Sequence, residues 1–227
     1  MKITKLIPKR IKQSIKNAYQ DSDLWVALLP LKETGVMSPG QVEKFYKAWG
    51  NEGFAADKEY LNLLLTMLDS GPVLECGTGG TTLLANVMGQ RNGFRTYSLE
   101  QDPEWAKPAK RALKRSEAVT VLDTPLRDFG AYQWYDVRVN LPQHFSLVIC
   151  DGPYIDRDLG EPAYSAWRYG VLPWFKDNNK TFDRLFLDDV NDPRARAILH
   201  RWEREFGVSV QTIESADGEC AVVRSPR

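Results

Sequence analysis

The chain has 227 residues, 43% of them hydrophobic and 26% charged, a length and balance that fit one ordinary globular domain with a sizeable core and an N-terminal extension. Thirty basic residues balance thirty acidic ones, so no whole-molecule field favours nucleic acid or an acidic surface. Cys76, Cys150 and Cys220 lie in apolar runs without C-x-x-C spacing, which argues against a disulfide framework or a zinc site and suggests a reducing compartment.

The first twenty residues carry Lys2, Lys5, Lys9, Arg10, Lys12 and Lys16 and no acid. After Pro8, residues Ile11, Ile15, Ala18 and Tyr19 fall at helical spacing, which predicts a short basic amphipathic helix. Such a helix either meets an anionic membrane surface or docks on the protein's own body or on a second subunit of a homo-oligomer. No apolar run reaches the roughly 18 residues that span a bilayer, and the start lacks a secretory signal, so the expected location is cytoplasmic. Residues 30–57 hold Pro30, Gly35, Pro39, Gly40, Gly50 and Gly53 and read as connections around one helix near Val42 to Trp49. Residues 1–57 thus form a basic helical extension with a lid-like segment, and the domain proper covers 58–227.

Asp57 caps a helix whose Leu61, Leu64, Leu65 and Leu68 make one face, with Gly71 and Pro72 as its stop. From there strands and helices alternate. The pattern predicts strands over 73–76, 95–99, 119–122, 145–150 and 184–187, with helices over 81–90, 103–115, near 162–175 and over 193–206. Strands 208–214 and 219–224 follow, joined by a turn through Ala216, Asp217 and Gly218 that is too short for anything but antiparallel pairing. The expected fold is α/β: a Rossmann-like three-layer sandwich with a seven-stranded, mostly parallel sheet and a C-terminal antiparallel hairpin.

The sharpest motif runs from Val73 to Thr82, V-L-E-C-G-T-G-G-T-T. A strand runs into a glycine-rich turn and a helix, where backbone N–H groups can meet a carboxylate or phosphate. A dinucleotide fingerprint wants glycine where Thr82 stands, and Glu75 would repel a pyrophosphate but suits an ammonium group through bound water. An amino-acid end therefore fits the turn better. Glu100, at the end of the second strand, can accept both hydroxyl hydrogens of a ribose. Asp102 with Pro103 reads as a helix cap. Asp123 and Thr124 follow the third strand, as adenine contacts or as turn residues.

Together, the E-x-G-x-G-G-T loop, the strand-two acid, the D-G-P after the fourth core strand and the terminal hairpin resemble class I S-adenosylmethionine-dependent methyltransferases over residues 73–224. The resemblance implies that Glu75, Gly77, Thr78, Gly79 and Thr81 hold the methionine part of S-adenosylmethionine, Glu100 the ribose, and Asp123 with Thr124 the adenine. Asp151, Asp188 and Asp189, at the ends of adjacent core strands, suit Mg²⁺. That layout is similar to metal-dependent small-molecule O-methyltransferases, with a longer gap between the strands and Asp189 where that group commonly has Asn. The expected reaction is methyl transfer to a small-molecule hydroxyl, metal-assisted or with Asp151 alone as general base.

Asp151-Gly152-Pro153-Tyr154 is also similar to the D-P-P-Y of amino-methyltransferases acting on DNA bases. Glycine replaces the first proline, and without a basic recognition module no nucleic acid partner is expected. Trp49, Phe54, Tyr164, Trp167 and Tyr169 are available for an aromatic lid. His144, placed before its strand, and His200 are not catalytic candidates. Nitrogen methylation, aminopropyl transfer and a non-catalytic scaffold use the same fold and remain alternatives.

Overall fold

The computed structural model describes residues 9–50, 56–154, 168–214 and 218–226, with side chains from Ser22 onward. Helix α1 (Lys9–Thr34) is much longer than its sequence signal and runs through Pro30. A proline inside a helix costs about 3 kcal/mol, but Leu24, Leu28 and Leu31 recur on one face and are buried. Burial at about 1.5–3 kcal/mol per leucine outweighs the proline. The helix ends at Gly35, whose φ of +80° favours glycine. Arg91 donates there to the carbonyls of Lys32 and Glu33 at 3.2 and 3.0 Å, placing a cation at the negative helix end.

Helix α2 (Pro39–Trp49) opens with Pro39 in its first turn, and the Gln41 side chain accepts the Ser38 N–H at 2.7 Å. Helix α3 (Lys58–Met67) is capped by Asp57, which accepts the Tyr60 N–H at 2.7 Å. The next elements are β1 (Val73–Cys76), α4 (Gly80–Asn92), β2 (Thr96–Glu100), α5 (Pro103–Ala112) and β3 (Val119–Asp123). They are followed by β4 (Leu126–Asp128), β5 (Gln133–Tyr135), β6 (His144–Cys150), α6 (Val171–Asp177), β7 (Thr181–Leu187), α7 (Pro193–Phe206), β8 (Ser209–Glu214) and β9 (Glu219–Arg224).

The seven-stranded sheet has the order β3-β2-β1-β6-β7-β9-β8. Strands β3, β2, β1, β6 and β7 are mutually parallel, whereas β9 runs antiparallel to both β7 and β8. The expected α/β Rossmann-like architecture is therefore present. The chain moves outward from β1 through β2 to β3 and then returns to β1's other side with β6. Such a reversal opens a crevice at the carboxyl ends of β1 and β6.

One apolar layer joins Leu24, Leu28, Leu31, Val42 and Phe45 of the first two helices to Leu64, Leu83, Leu84 and Phe186. The other face packs Trp134, Tyr135, Phe145, Trp174 and Trp202. Two details depart from the sequence reading: the helix expected to reach residue 115 ends at Ala112, and His144 begins β6. Of the helix expected near 162–175, the described part is helical over Val171–Asp177. Residues 162–167 and the turn residues Ala216 and Asp217 lie outside the described residues. The β4–β5 hairpin was not anticipated; it turns at Gly130, whose N–H donates to Asp128 at 2.7 Å. No described helix is long and apolar enough to cross a membrane.

Candidate active site

The site begins where β1 and β6 end side by side. Asp151 and Gly152 both donate backbone N–H groups to the Cys76 carbonyl, at 3.1 and 2.6 Å. Gly77 has φ +94°, and a Cβ on it would lie 2.9 Å from the Gly152 nitrogen. A Cβ on Gly152 would lie 2.5 Å from the Tyr135 hydroxyl and 2.9 Å from the Gly77 Cα. The two backbones touch with no room for a side chain. A proline at 152, as in D-P-P-Y, would both collide there and lose the N–H that bonds Cys76. Gly152→Ala is expected to destabilise the fold by about 1–3 kcal/mol in urea unfolding, and Tyr135→Phe in the same chain should recover part of the loss.

Glu75 is fully buried and binds the turn together from behind. It accepts hydrogen bonds from Thr81 at 2.5 Å, Thr82 at 2.7 Å and Ser98 at 2.5 Å. Burial pushes its pKa up to about 7, against the lowering effect of those three hydroxyls. Thr82 also accepts the Gly79 N–H at 2.8 Å. Gly77, Thr78, Gly79 and Thr81 line the cavity in front of the turn, but Glu75 does not. Glu75 thus positions the turn through Thr81, Thr82 and Ser98, behind the residues that line the cavity.

Glu100 ends β2 with its carboxylate facing the same cavity. One oxygen accepts the Thr78 N–H and the other the Asp102 N–H, both at 2.9 Å. With the Gln101 amide oriented to satisfy both of its ends, its nitrogen donates to Glu100 and to Tyr135, each at 3.2 Å. Burial raises the Glu100 pKa, and the backbone N–H groups partly offset the rise. The oxygen that accepts from Thr78 has a second acceptor direction to offer a ligand, whereas the other is already shared by Asp102 and Gln101. The Trp105 indole donates to the Thr78 carbonyl at 2.8 Å, which fixes its ring beside the loop.

Asp123 and Thr124 do not join this cavity. Asp123 is drawn outward into an ion pair with Lys110. Thr124 is spent on the backbone, its N–H donating to the Glu100 carbonyl and its hydroxyl to that of Leu122. Gln101, Asp102 and Trp105 line the cavity beside Glu100 in their place.

On the other side, Asp151 follows β6, and Asp188 and Asp189 follow β7, as expected. Between them lies Arg168, a residue that sequence reasoning missed. Its buried guanidinium donates to the Asp151 carboxylate at 3.2 Å, to the Asp189 carboxylate at 2.7 Å and to the backbone carbonyl of Asp188. The Asp188 carboxylate is itself buried and accepts the Asp189 N–H at 2.8 Å. The expected Mg²⁺ ligands Asp151, Asp188 and Asp189 do not fit a cation, because a fixed guanidinium already bridges two of them. Among the described residues no group of three His, Cys, Asp or Glu side chains could hold a metal.

Burial pushes the Asp151 pKa up to about 6; Arg168 pulls it down and Asp189 raises it again. A third of the Asp151 side chain remains accessible. Asp188 is raised well above the usual carboxylate range, first by burial and then by Asp151 and Asp189.

These groups share a cavity of about 570 Å³ whose remaining wall is Phe45, Tyr46 and Trp49 of α2 with Leu61 of α3. Trp49 is therefore where an aromatic wall was expected, and Phe45 and Tyr46 join it. Phe54, Tyr164 and Trp167 lie outside the described residues. Tyr169 packs away from the cavity, donating to Glu205 at 2.5 Å under the Arg201 guanidinium.

No family model matches the chain, and no curated protein matches its sequence. Solved structures do match. An S-adenosylhomocysteine-bound methyltransferase from Podospora anserina, PaMTH1, superposes with a TM-score of 0.57 at 13% identity, over 98% of each chain. The fold is that of a methyltransferase. The N-terminal domain of human METTL16 with S-adenosylhomocysteine gives 0.56 at 15% identity, over 83% of this chain and 82% of that one. The METTL16 catalytic domain in complex with MAT2A 3'UTR hairpin 1 gives 0.51 at 12% identity, over 83% and 80%. At these identities the likeness concerns the fold.

Proposed function

We propose that the chain is an S-adenosylmethionine-dependent methyltransferase that acts on the hydroxyl of a small molecule. The observation that carries this reading is one cavity in which the glycine turn, the Glu100 carboxylate and the Asp151 carboxylate all face inward. The residues fit the cofactor. A Cβ on Gly79 would meet nothing within 4 Å, so that backbone is open on the side a ligand would use. The α4 N-terminus offers N–H groups to a carboxylate, and the Glu100 oxygen that accepts from Thr78 keeps a direction for a ribose hydroxyl. When bound, S-adenosylmethionine would supply a methyl group on a positively charged sulfur.

The chain's own groups supply the rest. Asp151, ionised above about pH 6, takes the proton from the acceptor hydroxyl as the new oxygen–carbon bond forms. Arg168 holds that carboxylate in place. Phe45, Tyr46 and Trp49 offer a flat, apolar surface that orients the acceptor and excludes water. Among the described residues the charged lining consists of Glu100, Asp102, Asp151, Asp188 and Asp189 against Arg168. Such a lining disfavours a phosphate backbone, which supports a small acceptor over the RNA seen with METTL16.

Calorimetry with S-adenosylmethionine and S-adenosylhomocysteine tests the cofactor. Micromolar binding, worth about 8 kcal/mol, is expected with or without Mg²⁺. Glu100→Ala should weaken it about 10- to 100-fold, the worth of one hydrogen bond to a charged acceptor at about 1.5–3 kcal/mol. No binding by the folded wild-type chain would overturn the reading.

A further inference from the structure

Helix α1 has two apolar faces, and among the described residues only one is covered. Leu24, Leu28 and Leu31 are buried in the core shared with α2 and α4. Trp25, Val26 and Leu29, away from that face, stand 37%, 63% and 45% exposed. In the sequence, Trp25 and Leu29 continue a series that begins at Ile11 and passes through Ile15, Ala18 and Ser22. The intervals alternate four and three residues, the repeat of a helix-to-helix seam. A narrow seam of this kind fits one facing helix.

The series is also its own mirror image along the chain. Turned end for end about residue 20, it places position 11 against 29, 15 against 25, and 18 against 22. Large residues then meet large ones at the ends, and Ala18 meets Ser22 at the crossing. The charges reverse in the same way. Lys9, Arg10, Lys12 and Lys16 occupy the first half, and Asp21, Asp23 and Glu33 with Lys32 occupy the second. An antiparallel pairing brings the cationic half of one helix beside the acidic half of the other, whereas a parallel pairing sets cation against cation. The acids around the exposed Trp25 and Leu29 also disfavour an anionic bilayer as the occupant.

We propose that this face is an interface with a second copy of the chain, with the two α1 helices crossing antiparallel about a two-fold axis near residue 20. An isologous contact requires self-complementarity of this kind. The arrangement does not depend on the cofactor reading.

Sedimentation equilibrium of the full chain tests it. The wild type is expected to sediment at twice the chain mass, with dissociation promoted by salt. Trp25→Glu with Leu29→Glu should give a monomer whose thermal melt, followed at low concentration, keeps a native-like cooperative transition. Mixing Ala18→Cys and Ser22→Cys chains under oxidation should cross-link the heterodimer in preference to either homodimer. A wild type that stays monomeric at its highest soluble concentration overturns the proposal, whether or not it pellets with phosphatidylserine vesicles. So does a dimer that survives the double glutamate variant, or one that cross-links through Ser22→Cys alone.

Discussion

Asp151→Asn is expected to lower kcat by about 10²- to 10⁴-fold, the range for loss of a positioned general base, while leaving S-adenosylmethionine affinity within a few fold. The substitution keeps an oxygen within reach of Arg168 but removes the negative charge and, with it, the capacity to take a proton. The wild-type pH profile carries the second half of this prediction. With the Asp151 pKa raised to about 6, the carboxyl is protonated below that pH and unable to act. kcat/KM should therefore rise with pH through about 6 and level off above it. In Asp151→Asn the acid limb disappears with the bulk of the rate. Steady-state kinetics on an acceptor found by screening would decide, and a variant that keeps both its rate and its acid limb would remove Asp151 from the chemistry.

Arg168→Met is expected to have the largest effect on stability, a loss of about 3–5 kcal/mol in urea unfolding. The guanidinium is the shared partner of the Asp151 and Asp189 carboxylates and of the Asp188 carbonyl. Removing it leaves two acids and a carbonyl facing one another around an apolar side chain. Arg168→Lys should recover only part of the loss, because one ammonium cannot reproduce a planar fork spanning three oxygens. Adding Asp189→Asn to Arg168→Met should also restore part of the stability, since it removes one of the stranded charges. The same loss acts on the pH profile. Arg168 holds the Asp151 pKa down against burial, so in Arg168→Met, where it folds, the acid limb moves to higher pH.

The parallel core was legible because its strands and turns carry local signals. Val73 to Gly80 shows a buried strand, a glycine turn and a helix start in one run, and Asp192 with Pro193 announces α7. Glu100 and Asp151 could be placed because each ends a strand whose neighbours were already known. The misses have a common origin in contacts distant along the chain. Pro30 reads as a boundary until the burial of Leu24, Leu28 and Leu31 is known. Arg168 stands alone in an apolar run between Trp167 and Tyr169, a signal that a buried charge needs a partner, but nothing local says that Asp151 and Asp189 supply it. Asp123 reads equally as an adenine contact or a turn residue because nothing in the sequence couples it to Lys110. The β4–β5 hairpin is only three residues a side, too short for alternation to stand out.

The contact between Gly77 and Gly152 also bears on how this protein can acquire new substrates. In the proposed reading the ends of β1 and β6 are the cofactor half and the acceptor half of the site, and they meet backbone to backbone, so neither strand end can be reshaped without displacing the other. Variation in the acceptor has to enter from outside the sheet, and the half-buried residues of α2 are where it can enter, the helix itself being anchored in the core by Val42 and Phe45. Exchanging Tyr46 or Trp49 alters the chamber facing Asp151 while the hinge of glycine on glycine stays intact. Laboratory evolution for a different acceptor should accumulate its changes on that helix and leave residues 77 and 152 untouched.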